Sequence, residues 1–139
     1  MTGLTVRNRK LGLGGEIDLL VANFATPGDP LRWFGDYFLV ECKDQGERVS
    51  EKEFGHFLTK LNLTKTKQGA IVSREGFSGS RERLSGSRGS GYSKRDQKIA
   101  YSEMGVVVLD IKLDEIQRLG SVAELLRLLQ NKYEELRFH

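Results

Sequence analysis

The sequence has few of the residues that staple or punctuate a chain: one cysteine, two prolines, one tryptophan and two histidines in 139 residues. A lone Cys42 forms no internal disulfide, so the fold must rest on a hydrophobic core. His56 and His139 stand far apart in sequence and make no metal-ligand cluster, so zinc is not indicated. No apolar run approaches the ~20 residues of a bilayer span, and the N-terminus lacks the basic-then-apolar pattern of a signal peptide. The expected location is therefore the cytoplasm, with no membrane partner.

Hydrophobic residues make up 38% of the chain and charged residues 29%, with visible apolar periodicity. That composition belongs to a folded chain, and the length suits one domain with one core over residues 1–139. The net charge of +3 is ordinary for a small domain. Its distribution is not: the stretch from Arg74 to Lys98 carries seven basic and three acidic residues, leaving the rest slightly acidic. Concentrated positive charge of this kind is the electrostatic footprint of a phosphate-backbone binder.

Along the chain, Leu4 to Asn8 reads as a strand, followed by a glycine-rich turn (Gly12, Gly14, Gly15) and a second strand, Glu16 to Ala22. A loop over Thr26 to Leu31 carries both prolines. Tyr37 to Cys42 is a buried strand by its aromatic and β-branched content. The capping box Ser50 with Glu53, then Phe54, Phe57, Leu58 and Leu61, predicts a helix over 50–62. Gly69 to Ser73 is a short buried strand. Between Gly76 and Ser93 glycine and serine fill most positions, too apolar-poor to pack, which predicts a flexible basic loop over 76–93. A helix over Lys94 to Met104 closed by Gly105, a strand over Val106 to Ile111 and two short helices complete the chain. The last helix carries Val122, Leu125, Leu126, Leu129, Tyr133 and Leu136 on one face, suited to the sheet or to a partner subunit. The expected fold is α/β, a central mixed sheet flanked by helices.

Candidate chemistry sits on the second and third strands. Alternation puts Glu41 and Lys43 on one face of their strand and Cys42 on the other, where it reads as a buried small hydrophobe. Glu16 and Asp18 share a face of the preceding strand, and antiparallel pairing of the two strands would bring carboxylates together. Adjacent carboxylates repel unless neutralised, and the natural remedy is Mg²⁺, held by one or two carboxylates, waters and a substrate phosphate. A lysine beside such an ion can position the attacking water for phosphodiester hydrolysis.

Gly15-Glu16-Ile17-Asp18-Leu19-Leu20, then a hydrophobic strand ending Glu41-Cys42-Lys43, then a helix and a strand, resembles the PD-(D/E)xK nuclease superfamily. In flavour it is closest to Mrr-type restriction enzymes and archaeal Holliday-junction resolvases. The resemblance spans roughly Val6 to Ile111. It implies a restriction-endonuclease-like core and Mg²⁺-dependent cleavage of DNA leaving a 5′-phosphate, with Mn²⁺ as a substitute ion. It further implies metal ligation by Asp18, Glu41 and the backbone carbonyl of Cys42, with Lys43 as the catalytic lysine. The family usually opens with a helix bearing a further acid. Here either the chain is a domain of a longer protein, or another residue such as Glu16 supplies that ligand. The insertion with Pro27, Pro30 and Trp33 between the two strands is expected to reshape the substrate cleft.

Each feature has a plainer reading. Glu-x-Lys at a strand end is also an ordinary surface ion pair. Gln97 and Tyr101 echo a substrate-contacting element of RecB-like nucleases but read better as helix surface and core. His56, among Phe54, Phe57 and Leu58, reads as structural. Arg74, Arg81, Arg83, Arg88, Lys94 and Arg95 are the candidate DNA-binding residues, with Lys60, Lys65 and Lys67 extending the basic surface or serving the helix dipole. The alternatives to an endodeoxyribonuclease are a nuclease-fold domain that binds nucleic acid without cutting it and a ribonuclease with the same site. Cutting both strands would call for two active sites and hence a homodimer.

Overall fold

The computed structural model describes the backbone of residues 4–10, 17–23, 33–79 and 93–139, with side chains for Val21 and throughout the last two ranges. Among the described residues the order is β1 (Leu4–Lys10), β2 (Ile17–Asn23), β3 (Tyr37–Lys43), α1 (Glu51–Leu63), β4 (Gln68–Ser73), α2 (Ser93–Met104), β5 (Val107–Lys112), α3 (Leu113–Gln117) and α4 (Val122–Phe138). The strands form one mixed sheet in sequence order. β1, β2 and β3 pair antiparallel, and β3, β4 and β5 pair parallel. The parallel half follows from the connections, since β3 reaches β4 through α1 and β4 reaches β5 through α2.

Helices cover both faces. On one, Leu39, Ile71 and Val108 pack with Phe54, Phe57 and Leu61 of α1 and Ala100 of α2. On the other, Phe38, Ala70, Val72, Leu109 and Ile111 pack with Leu129 and Leu136 of α4. The apolar face of the last helix therefore closes its own core. α4 runs 17 residues, longer than the short helix expected. Trp33 belongs to this second cluster: its ring stacks on Tyr133 at 4.3 Å and its indole N–H donates to Gln130 Oε1 at 2.7 Å. The tryptophan thus ties the segment before β3 to α4, while Pro27 and Pro30 of the same expected insertion lie outside the described residues.

Local chemistry sets the helix ends. Ser50 Oγ accepts the Glu53 N–H, and Glu53 Oε1 accepts the Ser50 N–H at 3.0 Å, the capping box read from sequence. At the other end of α1, Thr66 N–H donates to Leu61 O at 2.9 Å and Lys65 N–H to Asn62 O at 3.2 Å. This closure puts Lys65 in the left-handed region at φ 56°, where glycine is the usual occupant. α2 ends the same way on Gly105, φ 67°.

α1 sits close to the sheet because position 69 is glycine. A Cβ there would lie 2.6 Å from Leu39 O and 2.8 Å from Phe57 Cζ. The Phe57 ring occupies that space, and the helix is drawn down with it.

Of the expected loop over 76–93, residues 80–92 lie outside the described ones, as do the stretches around Gly12–Glu16 and Thr26–Leu31. Its two ends are described and joined. Ser93 Oγ donates to Val49 O at 2.6 Å and accepts the Ser78 N–H at 2.9 Å, and Lys94 N–H donates to Ser78 O at 2.9 Å. The segment therefore leaves and re-enters the fold at one point. No helix among the described residues is long and apolar enough to cross a membrane.

Candidate active site

The carboxyl ends of β3, β4 and β5 lie at one edge of the sheet, the edge where open α/β sheets place their ligands. Register aligns Glu41 with Ile71 and Ile71 with Asp110, and in the next row Lys43 with Ser73 and Ser73 with Lys112. These residues share the face covered by α1 and α2, and Glu41 and Asp110, with one strand between them, stand two strand spacings or about 10 Å apart.

Glu41 is 1% exposed although it is charged. A buried carboxylate is tolerated only when paired, and two ammonium groups meet it. Lys60 Nζ, from the last turn of α1, donates to Oε1. Lys43 Nζ lies 3.4 Å from Oε2, an oxygen that is buried and makes no hydrogen bond. The side chains of Lys43 and Lys60 are 15% and 12% exposed, so the cluster borders solvent through its cations.

The expected union of Glu41 and Lys43 is therefore present. Cys42 departs from expectation: it faces away from Glu41 but is exposed, because packing against α4 thins toward this end of β3, where Val40 is already only half-buried. Lys60 departs as well. In place of widening a surface patch it turns inward to Glu41, whereas Lys65 and Lys67 are exposed. His56 is exposed on α1, between the buried Phe54 and Phe57, and takes no part in the core.

Asp18 is a β2 residue whose side chain lies outside the described residues, as does Glu16 altogether. Its backbone position is informative. β2 pairs with β3 from Ala22 opposite Tyr37 to Leu19 opposite Val40, where the ladder ends; continued one step, the same register would set Asp18 opposite Glu41.

Asp110 was not singled out by the sequence. Its Oδ2 accepts the Phe77 N–H at 3.1 Å and faces Lys94 Nζ at 3.4 Å, while Oδ1 is buried without a hydrogen bond. Gly76 packs beside it at φ 79°. Asp110 thus fixes both ends of the basic segment to β5. It also lines a cavity of about 260 Å³ with Lys94, Lys98 and Lys132. An acid interrupting Val107-Val108-Leu109 was the available signal.

Of the six candidate DNA-binding residues, Arg81, Arg83 and Arg88 lie outside the described ones. Arg74 is exposed and paired with Asp44 at 2.7 Å, an exposed pair of small energetic weight. Lys94 is held by Asp110, and Arg95 is exposed in the first turn of α2. Gln97, expected on the helix surface, is instead buried because its amide donates to Val108 O at 2.7 Å, and Tyr101 packs against the α4 cluster as expected; both serve the fold.

Near the site, Glu53 anchors the loop after β3. Burial pushes its carboxyl up, but the Ser50 N–H, the Gln45 amide, the Ser50 hydroxyl and the charge of Lys43 outweigh this and hold it below its ordinary value.

Among the described residues no three His, Cys, Asp or Glu side chains group to hold a metal ion. Among the described residues the carboxylates in this row are Glu41, whose Oε2 makes no hydrogen bond, and Asp110, whose Oδ1 makes none, with Asp18 at the adjoining strand position. The Glu41 Oε2, ion-paired with Lys43 but without a hydrogen bond, is a hard anionic oxygen of the type that Mg²⁺ takes. No family model, curated protein or solved structure matches this chain.

Proposed function

We propose that this mixed α/β chain has a restriction-endonuclease-like core and acts as a metal-dependent endonuclease on DNA. The observation that carries the reading is the buried Glu41 at the end of the middle strand, with Lys43 at 3.4 Å on the same face and Asp18 next in register on β2. An ion pair on an ordinary surface would not be buried to this degree, and its carboxylate would not keep an unbonded oxygen.

On this reading Asp18, Glu41 and the Cys42 backbone carbonyl hold Mg²⁺ or Mn²⁺, with Glu16 a further candidate ligand. The ion supplies neutralisation of the carboxylates and of charge developing on the scissile phosphate. Lys43 holds the attacking water by hydrogen bonding and points it at phosphorus, and a 5′-phosphate is left on the product. Arg74, Lys94 and Arg95, with Arg81, Arg83 and Arg88, bind backbone phosphates without reading sequence.

One observation favours a second reading, a domain that binds nucleic acid without cutting it: Glu41 already has two ammonium partners and stands neutralised without a metal ion. Lys43→Ala separates the two. If the chain is a nuclease, the variant loses cleavage of duplex DNA yet keeps salt-dependent retention in a gel shift. If parent and variant both bind and neither cuts under any divalent ion, the second reading holds.

A further inference from the structure

Glu41 meets two lysines, and the two are placed differently. Lys43 lies two residues on along the same strand, 3.4 Å from Oε2. Lys60 comes from another element, makes the direct hydrogen bond to Oε1, and is held where it is by the packing of Phe57 and Leu61 and by the closure at Thr66. The nuclease reading accounts for Lys43 alone. It leaves unexplained why a helix should deliver a second ammonium into contact with a carboxylate meant for a cation.

We infer that Lys60 is the resident counterion of Glu41, and that a divalent cation binds this site by displacing it. This rests on the nuclease reading and adds a residue to it. A metal ion ligated by Glu41 would stand within a few ångströms of the Lys60 ammonium, and two cations at that separation on the border of the core repel strongly. The ion and the ammonium therefore compete for the charge of one carboxylate, and Lys60, which makes the hydrogen bond to it, has more to lose than Lys43, which faces Oε2 without one. Lys60 has a flexible four-carbon stem and sits at the boundary of solvent, so its ammonium can swing outward while its methylenes stay packed. Without metal, Lys60 keeps a buried carboxylate compensated. With metal, it is released toward the surface. Cation affinity is then set by a competition, reduced by whatever the Lys60–Glu41 pair contributes. Lys60 is a positioning residue: it acts through Glu41 and touches no reacting atom.

The sign of one effect separates this from a structural role. Free Mn²⁺ is followed by electron paramagnetic resonance during titration of the protein alone, without DNA. Removing the competing charge in Lys60→Gln, which keeps an amide donor for Glu41, is expected to tighten Mn²⁺ binding by roughly tenfold or more, with Lys60→Arg close to the parent. Weaker or unchanged binding in Lys60→Gln, with the parent binding Mn²⁺, overturns the inference and leaves the nuclease reading standing. Uptake by neither protein, alone or with uncleaved duplex DNA present, overturns both. Uptake by the variant alone supports displacement in its strongest form.

A measurement on the parent protein guards against misfolding of the variant. Acylation of lysine amines, read by mass spectrometry, should rise at Lys60 on saturation with Mn²⁺ while Lys52, exposed on the same helix, stays constant. Lys60 labelling that does not change on saturation overturns the inference.

Discussion

Replacing Glu41 by glutamine keeps the side chain's shape and removes its charge. Lys43 and Lys60 would then converge on a neutral amide, with only 15% and 12% of their side chains exposed. The attraction lost at the 3.4 Å Lys43 contact alone is about 5 kcal/mol at an effective dielectric of ~20. Much of that is offset by the desolvation the pair endured in forming. Removing one partner of a buried pair costs about 3–5 kcal/mol net, because the other charge stays behind uncompensated. Both lysines border solvent and can swing outward, which places the expected loss at the lower end, about 3 kcal/mol. Urea unfolding followed by circular dichroism reads this directly: with a slope of ~2 kcal/mol per molar, the midpoint falls by about 1.5 M. The double variant Glu41→Gln/Lys60→Met should recover a good part of the loss, since it removes the stranded charge too. A loss under about 1 kcal/mol in the single variant, or losses that simply add in the double, would show that the three charges do not act as a buried unit.

Gly69→Ala puts a Cβ 2.6 Å from Leu39 O of β3 and 2.8 Å from Phe57 Cζ of α1, so strand and helix must both give; a loss of about 2–3 kcal/mol in urea is expected, and parent-like stability would refute the close-approach account. Lys65→Gly relieves a left-handed residue at φ 56° and should stabilise the chain by about 0.5–1 kcal/mol, a gain visible as a raised melting temperature. The Glu53 carboxyl is held below its ordinary value of 4.5, so its contribution is complete above that value and fades as pH falls through the lowered one. The stability gap between parent and Glu53→Gln should accordingly close on acidification from roughly pH 6 to pH 3, whereas a constant gap would place the effect elsewhere.

Elements governed by local chemistry were legible from sequence. The capping box of Ser50 and Glu53, the apolar spacing of Phe54, Phe57 and Leu61, and the stop at Gly105 act over a few residues and appear where they were read. So did the pairing of the Asp18 and Glu41 strands, which needed only strand alternation and an antiparallel turn. The misses share one cause: they depend on which element covers a given surface. Strand alternation gives the side of Cys42 but not whether α4 extends far enough to cover it. Helical spacing puts Lys60 three residues past Phe57, at the margin of the buried face, yet its contact with Glu41 needs α1 docked across β3 and β4. Asp110 likewise acquires its role from the return of residues 76–78 and 93–94 to β5. Trp33, read beside the prolines as part of a cleft-shaping insertion, is claimed by Tyr133 a hundred positions on.

Incubation of supercoiled plasmid with the parent protein at low salt, in Mg²⁺ or Mn²⁺ against EDTA and beside Lys43→Ala and Asp18→Asn, tests the functional claim most directly. The account predicts nicked or linear DNA that requires both the metal ion and each of the two side chains. Cleavage that persists in EDTA or in Lys43→Ala, or intact plasmid under every ion tried, would contradict it.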